Sequence, residues 1–199
     1  MRRFALFLAL CSLSGPAFAD PLMDAIKADG GTVCFTRTYD AAWLKAHRGQ
    51  TVREARFAVT FDRKDQSWPA MRVMIRGAGK PMYLFGGCGY ESSGINRGVQ
   101  NDILDPTYKL DSGVACHMMT DVTGASAEEG GDFPVEWGGG RYIQMHLPDY
   151  VAAWRSYDVR HYSTSGELGR ADRIIRLNRA RASECRELVT KFAPGQPDY

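Results

Sequence analysis

Cys116-His117-Met118-Met119 and Met145-His146 are the stretches of this chain that most directly invite chemistry. Thioether sulfur and imidazole nitrogen together suit copper, whose soft reduced ion favours such ligands. If both stretches are strands, their side chains alternate between faces. His117 and Met119 then share one face, while His146 lies on the outward face, opposite Met145. The competing assignment is core methionines with two surface histidines. Nucleophilic hydrolysis needs a serine, a histidine and a carboxylate that converge in space. Ser163-Thr164-Ser165-Gly166 follows His161 closely, but no G-x-S-x-G elbow surrounds it, and a solvated loop accounts for it. A hydrolase here has to assemble dispersed groups such as His117, His146 and His161 with a carboxylate.

Two further patterns have plain structural readings. Gly138-Gly139-Gly140-Arg141 lacks the lysine, the hydroxyl and the strand-to-helix setting of a phosphate loop, and reads as a hairpin turn. Asn101, Asp102, Asp105 and Asp111 crowd one segment without the alternating oxygen ligands of a calcium loop; Asx turns account for them. No catalytic residue, metal ligand or cofactor is assigned.

The remaining candidates would bind rather than catalyse. Tyr150, Trp154, Tyr157 and His161 fall at i, i+4, i+7 and i+11, an aromatic stripe if the segment is helical, which packing into the core explains more readily than contact with a partner or glycan. Between residues 86 and 113 the periodicity fails, and a connection this long is commonly functional. Within it, residues 89–112 are the expected recognition element, with Tyr90, Asn101, Asp102 and Tyr108 as contacts, joined by Tyr150 and Trp154.

The elements that must position these groups read as mainly β. Asp20 can cap a short helix with Pro21 at its first position and Leu22, Ala25 and Ile26 on one face. Strands are expected over 32–38, 55–61, 71–76, 82–85 and 114–121, a second helix over 41–47 behind Asp40, and a late strand over 172–177. Residues 150–157 read as a helix, with a strand over 157–162 as the alternative for the end of that segment. A five-residue loop after Arg76 sets Ile75 opposite Tyr83 and Val73 opposite Phe85; Met74 and Leu84 then occupy the other face, which something must cover. A three-residue glycine turn sets Val135 opposite Ile143 and Phe133 opposite Met145. Ser183 starts a last helix whose Cys185, Leu188, Val189 and Phe192 share a face. The fold class expected is an antiparallel β-barrel or sandwich, the barrel preferred, with short peripheral helices and two disulfides.

The first 19 residues have the order of a cleavable export signal: basic Arg2-Arg3, a short apolar run, then Ala17-Phe18-Ala19 before Asp20. That run is too short to serve as a transmembrane anchor. Removing it takes away two arginines and no acid, so the 25 basic and 23 acidic residues become 23 and 23. A neutral mature chain offers no argument for binding nucleic acid or acidic membranes. Four cysteines remain, none in a C-x-x-C pair, and three connectivities are open to them. The expected pairs are Cys34–Cys185 and Cys88–Cys116, with chain-entropy ceilings of about 5 and 3.5 kcal/mol. Residues 20–193 are expected to form one β-rich domain, followed by a polar tail over 194–199. The expectation is a periplasmic or secreted, non-catalytic binding or envelope-associated protein. Its partner would be another envelope protein, and inhibition of an exported hydrolase is one concrete version. A dispersed-site hydrolase and a copper or ligand carrier are the alternatives.

Overall fold

Asp20 ends the extended entry and caps α1 (Pro21–Ala28), its Oδ1 accepting the Leu22 and Met23 N–H groups at 3.0 Å. Gly30 and Gly31, at φ of 71° and 102°, stop the helix and turn the chain into β1 (Thr32–Thr38). Asp40 caps α2 (Ala41–Ala46) through the Trp43 N–H at 2.7 Å. There follow β2 (Glu54–Thr60), β3 (Ala70–Arg76), β4 (Met82–Glu91), β5 (Gly113–Met118), β6 (Asp132–Trp137) and β7 (Tyr142–His146). The hairpin β8 (Tyr150–Ala153) and β9 (Thr164–Glu167) precedes β10 (Ile174–Ala180) and α3 (Arg186–Lys191). This is a computed structural model, and it describes residues 20–61, 68–92, 112–119, 131–157 and 164–192. The expected leader over 1–19 and tail over 194–199 lie outside the described residues.

The strands β1 to β7 pair in chain order, all antiparallel, and β10 closes the ring between β7 and β1. The result is a closed eight-strand barrel. Alternation decides what fills it: Val33, Phe35, Phe57, Val59, Val73, Leu84, Val114, Phe133, Val135, Ile143, Met145 and Leu177 all belong to one buried cluster. α1 stops the end where β1 begins, with Leu22 and Ile26 joining that cluster. The opposite end is closed by Tyr39 and Val52 from the β1–β2 connection, and by Val151, Ala153 and Leu168 from the segment around the β8–β9 hairpin. That hairpin presses so close that a Cβ on Gly166 would stand 2.6 Å from the Met82 sulfur.

A second, smaller cluster lies outside the barrel wall. Met74 and Tyr83 face outward with Cys34, and α3 covers them through Cys185, Leu188 and Phe192. Phe192 stands among Tyr83, Trp154 and Phe85, with ring centroids 5.4, 5.6 and 6.3 Å away. Buried Arg72 ties this strap down: its Nε donates to the Phe192 carbonyl at 2.7 Å and its Nη1 to Thr60 Oγ1 at 2.9 Å. Burial lowers its pKa to about 10, still cationic at neutral pH. Both expected disulfides form, Cys34–Cys185 stapling α3 to β1 and Cys88–Cys116 joining register partners on β4 and β5.

Three local expectations are corrected. The β3–β4 register is one residue off the expected one: Ile75 faces Met82 and Val73 faces Leu84. That puts Leu84 inside and Tyr83 and Phe85 outside, under the strap. The β6–β7 register differs by two, with Val135 opposite Met145 and Trp137 opposite Ile143, which leaves every side chain on its expected face. Residues 150–153 form a strand rather than a helix, because they pair with 164–167 while Trp154 bridges to Tyr83.

Candidate binding surface

The barrel wall separates the residues that suggested copper. Met118 and Met145 point into the core, whereas His117 stands on the outer face of β5. Its Nδ1 lies 2.6 Å from Oδ1 of Asp132, its register partner on β6, and both side chains are about two-fifths exposed. His146 corrects the expectation of a surface histidine. It has outward parity on β7 yet is only 2% exposed. Desolvation lowers its pKa to about 4, so it is neutral at pH 7. The Gln144 amide lies 3.3 Å from His146 Nε2 and 3.4 Å from Glu136 Oε2, forming a polar row across β6 and β7. An amide N–H facing Nε2 makes that nitrogen the acceptor and places the imidazole proton on Nδ1. Among the described residues, no group of three or more His, Cys, Asp and Glu side chains is arranged to hold a metal ion. His161 and Ser163 lie outside the described residues.

The expected contact residues separate in the same way. Tyr90 is half-buried and packs against the barrel core. Tyr150 opens β8 and is 65% exposed. Trp154 is buried against Phe192, and Tyr157 stacks at a tilt on Tyr83 at 4.6 Å. The aromatic stripe is therefore not formed: Tyr150 reaches solvent and Trp154 fills the outer cluster. Asn101, Asp102 and Tyr108 lie outside the described residues.

A polar cleft of about 310 Å³ on the wall is lined by Thr36, Thr38, Glu54, Arg56 and Glu184. Its charges satisfy one another. Glu54 accepts from Arg56 at 2.7 Å and from Arg76 at 3.1 Å, and Arg56 also donates to the Glu184 carbonyl.

A different group, not among the expected contacts, gathers at the α2 end. Arg37 and Tyr39 share a face as β1 runs out, and the turn at Asp40 lays α2 beside them. The Arg37 guanidinium sits 4.7 Å from the ring centres of both Tyr39 and Trp43. One helical turn on from Trp43, His47 stacks on the indole at 3.9 Å and 10°. Its Nδ1 donates to the Trp43 carbonyl at 2.9 Å. Trp43 Nε1 donates to Gln50 Oε1 at 2.9 Å, and the Gln50 amide reaches the Val52 carbonyl at 3.3 Å. Burial raises the Tyr39 pKa, with Arg37 pulling the other way.

Behind this platform, buried Asp172 anchors the connection from α2 to β2. Its carboxylate accepts from Thr51 N, Thr51 Oγ1 and Val52 N, the shortest at 2.6 Å. The sequence did carry a signal for the platform: Trp43 and His47 are spaced i, i+4 on a helix with no other aromatic residue, next to Arg37 and Tyr39 at i, i+2.

Among the described residues, no helix is long and apolar enough to cross a membrane. A β-barrel with two disulfides is compatible with an exported domain, since disulfides persist in oxidising compartments. Comparison of the chain with protein-family models, curated proteins and solved structures finds no match.

Proposed function

We propose that this is an exported, periplasmic or secreted binding module that acts without catalysis by engaging another envelope component, inhibition of an exported hydrolase being one concrete form. The observation that carries this reading is the filled barrel. Side chains from the barrel strands pack into one interior cluster, and the ends are closed by α1 and by the elements around α2. Small barrels whose interiors are packed act as scaffolds, and their recognition work falls to loops and outer faces. Residues 89–112, with Tyr90, Asn101, Asp102 and Tyr108, remain a proposed contact region, with Tyr150 a second exposed point.

A hydrolase is the second reading, favoured by one observation: the 2.6 Å His117–Asp132 pair has the geometry of a base held by its orienting carboxylate. Immobilising the oxidised chain from Asp20 and capturing from a cell-envelope extract separates the two. The binding reading expects one saturable partner, lost on alanine substitution within 89–112 and retained by His117→Ala. Turnover of a model ester or glycoside that His117→Ala abolishes would instead establish the hydrolase.

A further inference from the structure

We propose that Arg37, Trp43 and His47 form a binding site for an acidic sugar unit of an anionic polysaccharide, a ligand class that rests on the binding-module reading above. The starting point is a cation without its anion. Arg37 is half-buried, and among the described residues it makes no hydrogen bond or ion pair; its contacts are the two ring faces. A guanidinium offers five N–H donors in a planar fork that matches a carboxylate, and partial desolvation strengthens that preference.

The nearby carboxylates are already engaged. Asp40 caps α2 through the Trp43 N–H, Glu54 is held between Arg56 and Arg76, and Asp172 is filled by Thr51 and Val52. Among the described residues no carboxylate is left to answer Arg37, and an anionic ligand would complement it.

Trp43 indicates the rest of that ligand. It is 37% exposed, yet Gln50 fixes its indole N–H and His47 packs in parallel on its ring. A large aromatic surface held still at the protein boundary loses little entropy on binding. With His47 stacked on the ring and Arg37 over it, Trp43 offers a ligand the exposed part of its indole beside the guanidinium, which suits a sugar ring that lays C–H groups there and carries a carboxylate, as in a uronic acid. Lys45, Arg48 and Arg53 are exposed on the same connection and make no ion pair among the described residues, while Asp40 is the only acid between residues 37 and 53. An extended positive field favours a polymer that repeats its charge over a ligand with a single carboxylate.

The test is calorimetric titration of the oxidised chain from Asp20 with oligogalacturonate, with its methyl ester, which keeps the rings and removes the charges, and with polyglutamate. Saturable binding to the acid form is expected, weakened by about tenfold or more in the methyl ester and in both Arg37→Gln and Trp43→Ala. Arg37→Lys should fall between, since it keeps the charge and loses the fork. Thermal melts confirm that the variants fold, and Trp43→Ala on the exposed helix keeps the test open if Arg37→Gln does not. Equal affinity of the methyl ester, unchanged affinity in folded Trp43→Ala, tighter binding of polyglutamate, or no uronate binding each overturns the site. If uronate binding fails while a partner is still captured through residues 89–112, this site is wrong and the binding module stands. If both fail, the binding-module reading falls as well.

Discussion

Each end of the barrel carries a short Asp-capped helix, and the two do opposite things. α1 has eight residues and buries Leu22 and Ile26 in the barrel's own core. α2 has six and buries none, holding Trp43 at the boundary with solvent instead. The end behind α2 also contains two of the three buried polar side chains found among the described residues, His146 and Asp172. The same capping chemistry thus starts a plug at one end and a presentation platform at the other. What differs is whether the helical face turned inward is apolar, as at Leu22 and Ile26, or whether closure is left to neighbours such as Tyr39, Val52 and Leu168. With only the partly buried Leu44 set against the core, α2 is left to carry recognition groups on the rest of its surface.

The contrast can be broken most sharply by truncating each helix's large side chain. Ile26→Ala should cost about 2–5 kcal/mol in urea unfolding, because it opens a cavity in the core. Trp43→Ala should cost about 1 kcal/mol or less, the worth of its surface stacking. Equal losses would show that α2 is a plug as well.

Next in size is the pH response of the α2 end. The folded-state pKa of His146 is about 4, against 6.5 for an unperturbed histidine. Between those values the unfolded chain binds the proton that the folded chain refuses. Its contribution is therefore intact above pH 6.5 and is lost progressively as pH falls to 4, by about 3 kcal/mol. Urea titrations at pH 7 and 4.5 should show this loss, and His146→Gln should flatten it relative to the parent chain.

Asp172→Ala is expected to cost about 2 kcal/mol, because it strips the acceptor from two backbone N–H groups of the β1–β2 connection. It should also loosen Gln50 and so broaden the Trp43 indole N–H resonance, whereas Ile26→Ala should leave that signal sharp. The smallest effect compares the caps. Asp20→Ala should cost about 1 kcal/mol and Asp40→Ala about half of that, since Asp20 accepts two N–H groups and Asp40 one at an exposed end. A larger loss at Asp40 would mean that α2 supports the fold rather than the platform alone.

How much of this was legible depends on how many partners a feature needs. The caps of α1 and α2 and the span of β1 follow from residues within a few positions of one another. The expected β3–β4 register is one residue off because Met74, Tyr83, Leu84 and Phe85 make both faces of that hairpin apolar, so alternation does not select the inward set. The requirement that something cover the outer face was nonetheless readable, and α3 with Phe192 is what covers it. The β6–β7 register was two residues off because a period of two is blind to a shift of two. Parity places His146 outward, as a surface group would be, and says nothing of the packing that leaves it 2% exposed. The Arg37–Trp43–His47 platform was passed over because its members straddle a strand end and a helix, and only the turn between them sets their rings and charge together.

The sequence by itself determined the β class, the caps, the inward sets of most strands and the four-cysteine pool from which both bridges form. These are carried by composition and short-range periodicity, which each segment holds alone. Tertiary structure decided barrel over sandwich, strand over helix at residues 150–153, and which histidine is buried. It also decided that a half-buried arginine faces two rings and, among the described residues, makes no ion pair. Those are properties of pairs and layers, settled when distant segments compete for the same volume, and no local pattern contains the outcome of that competition.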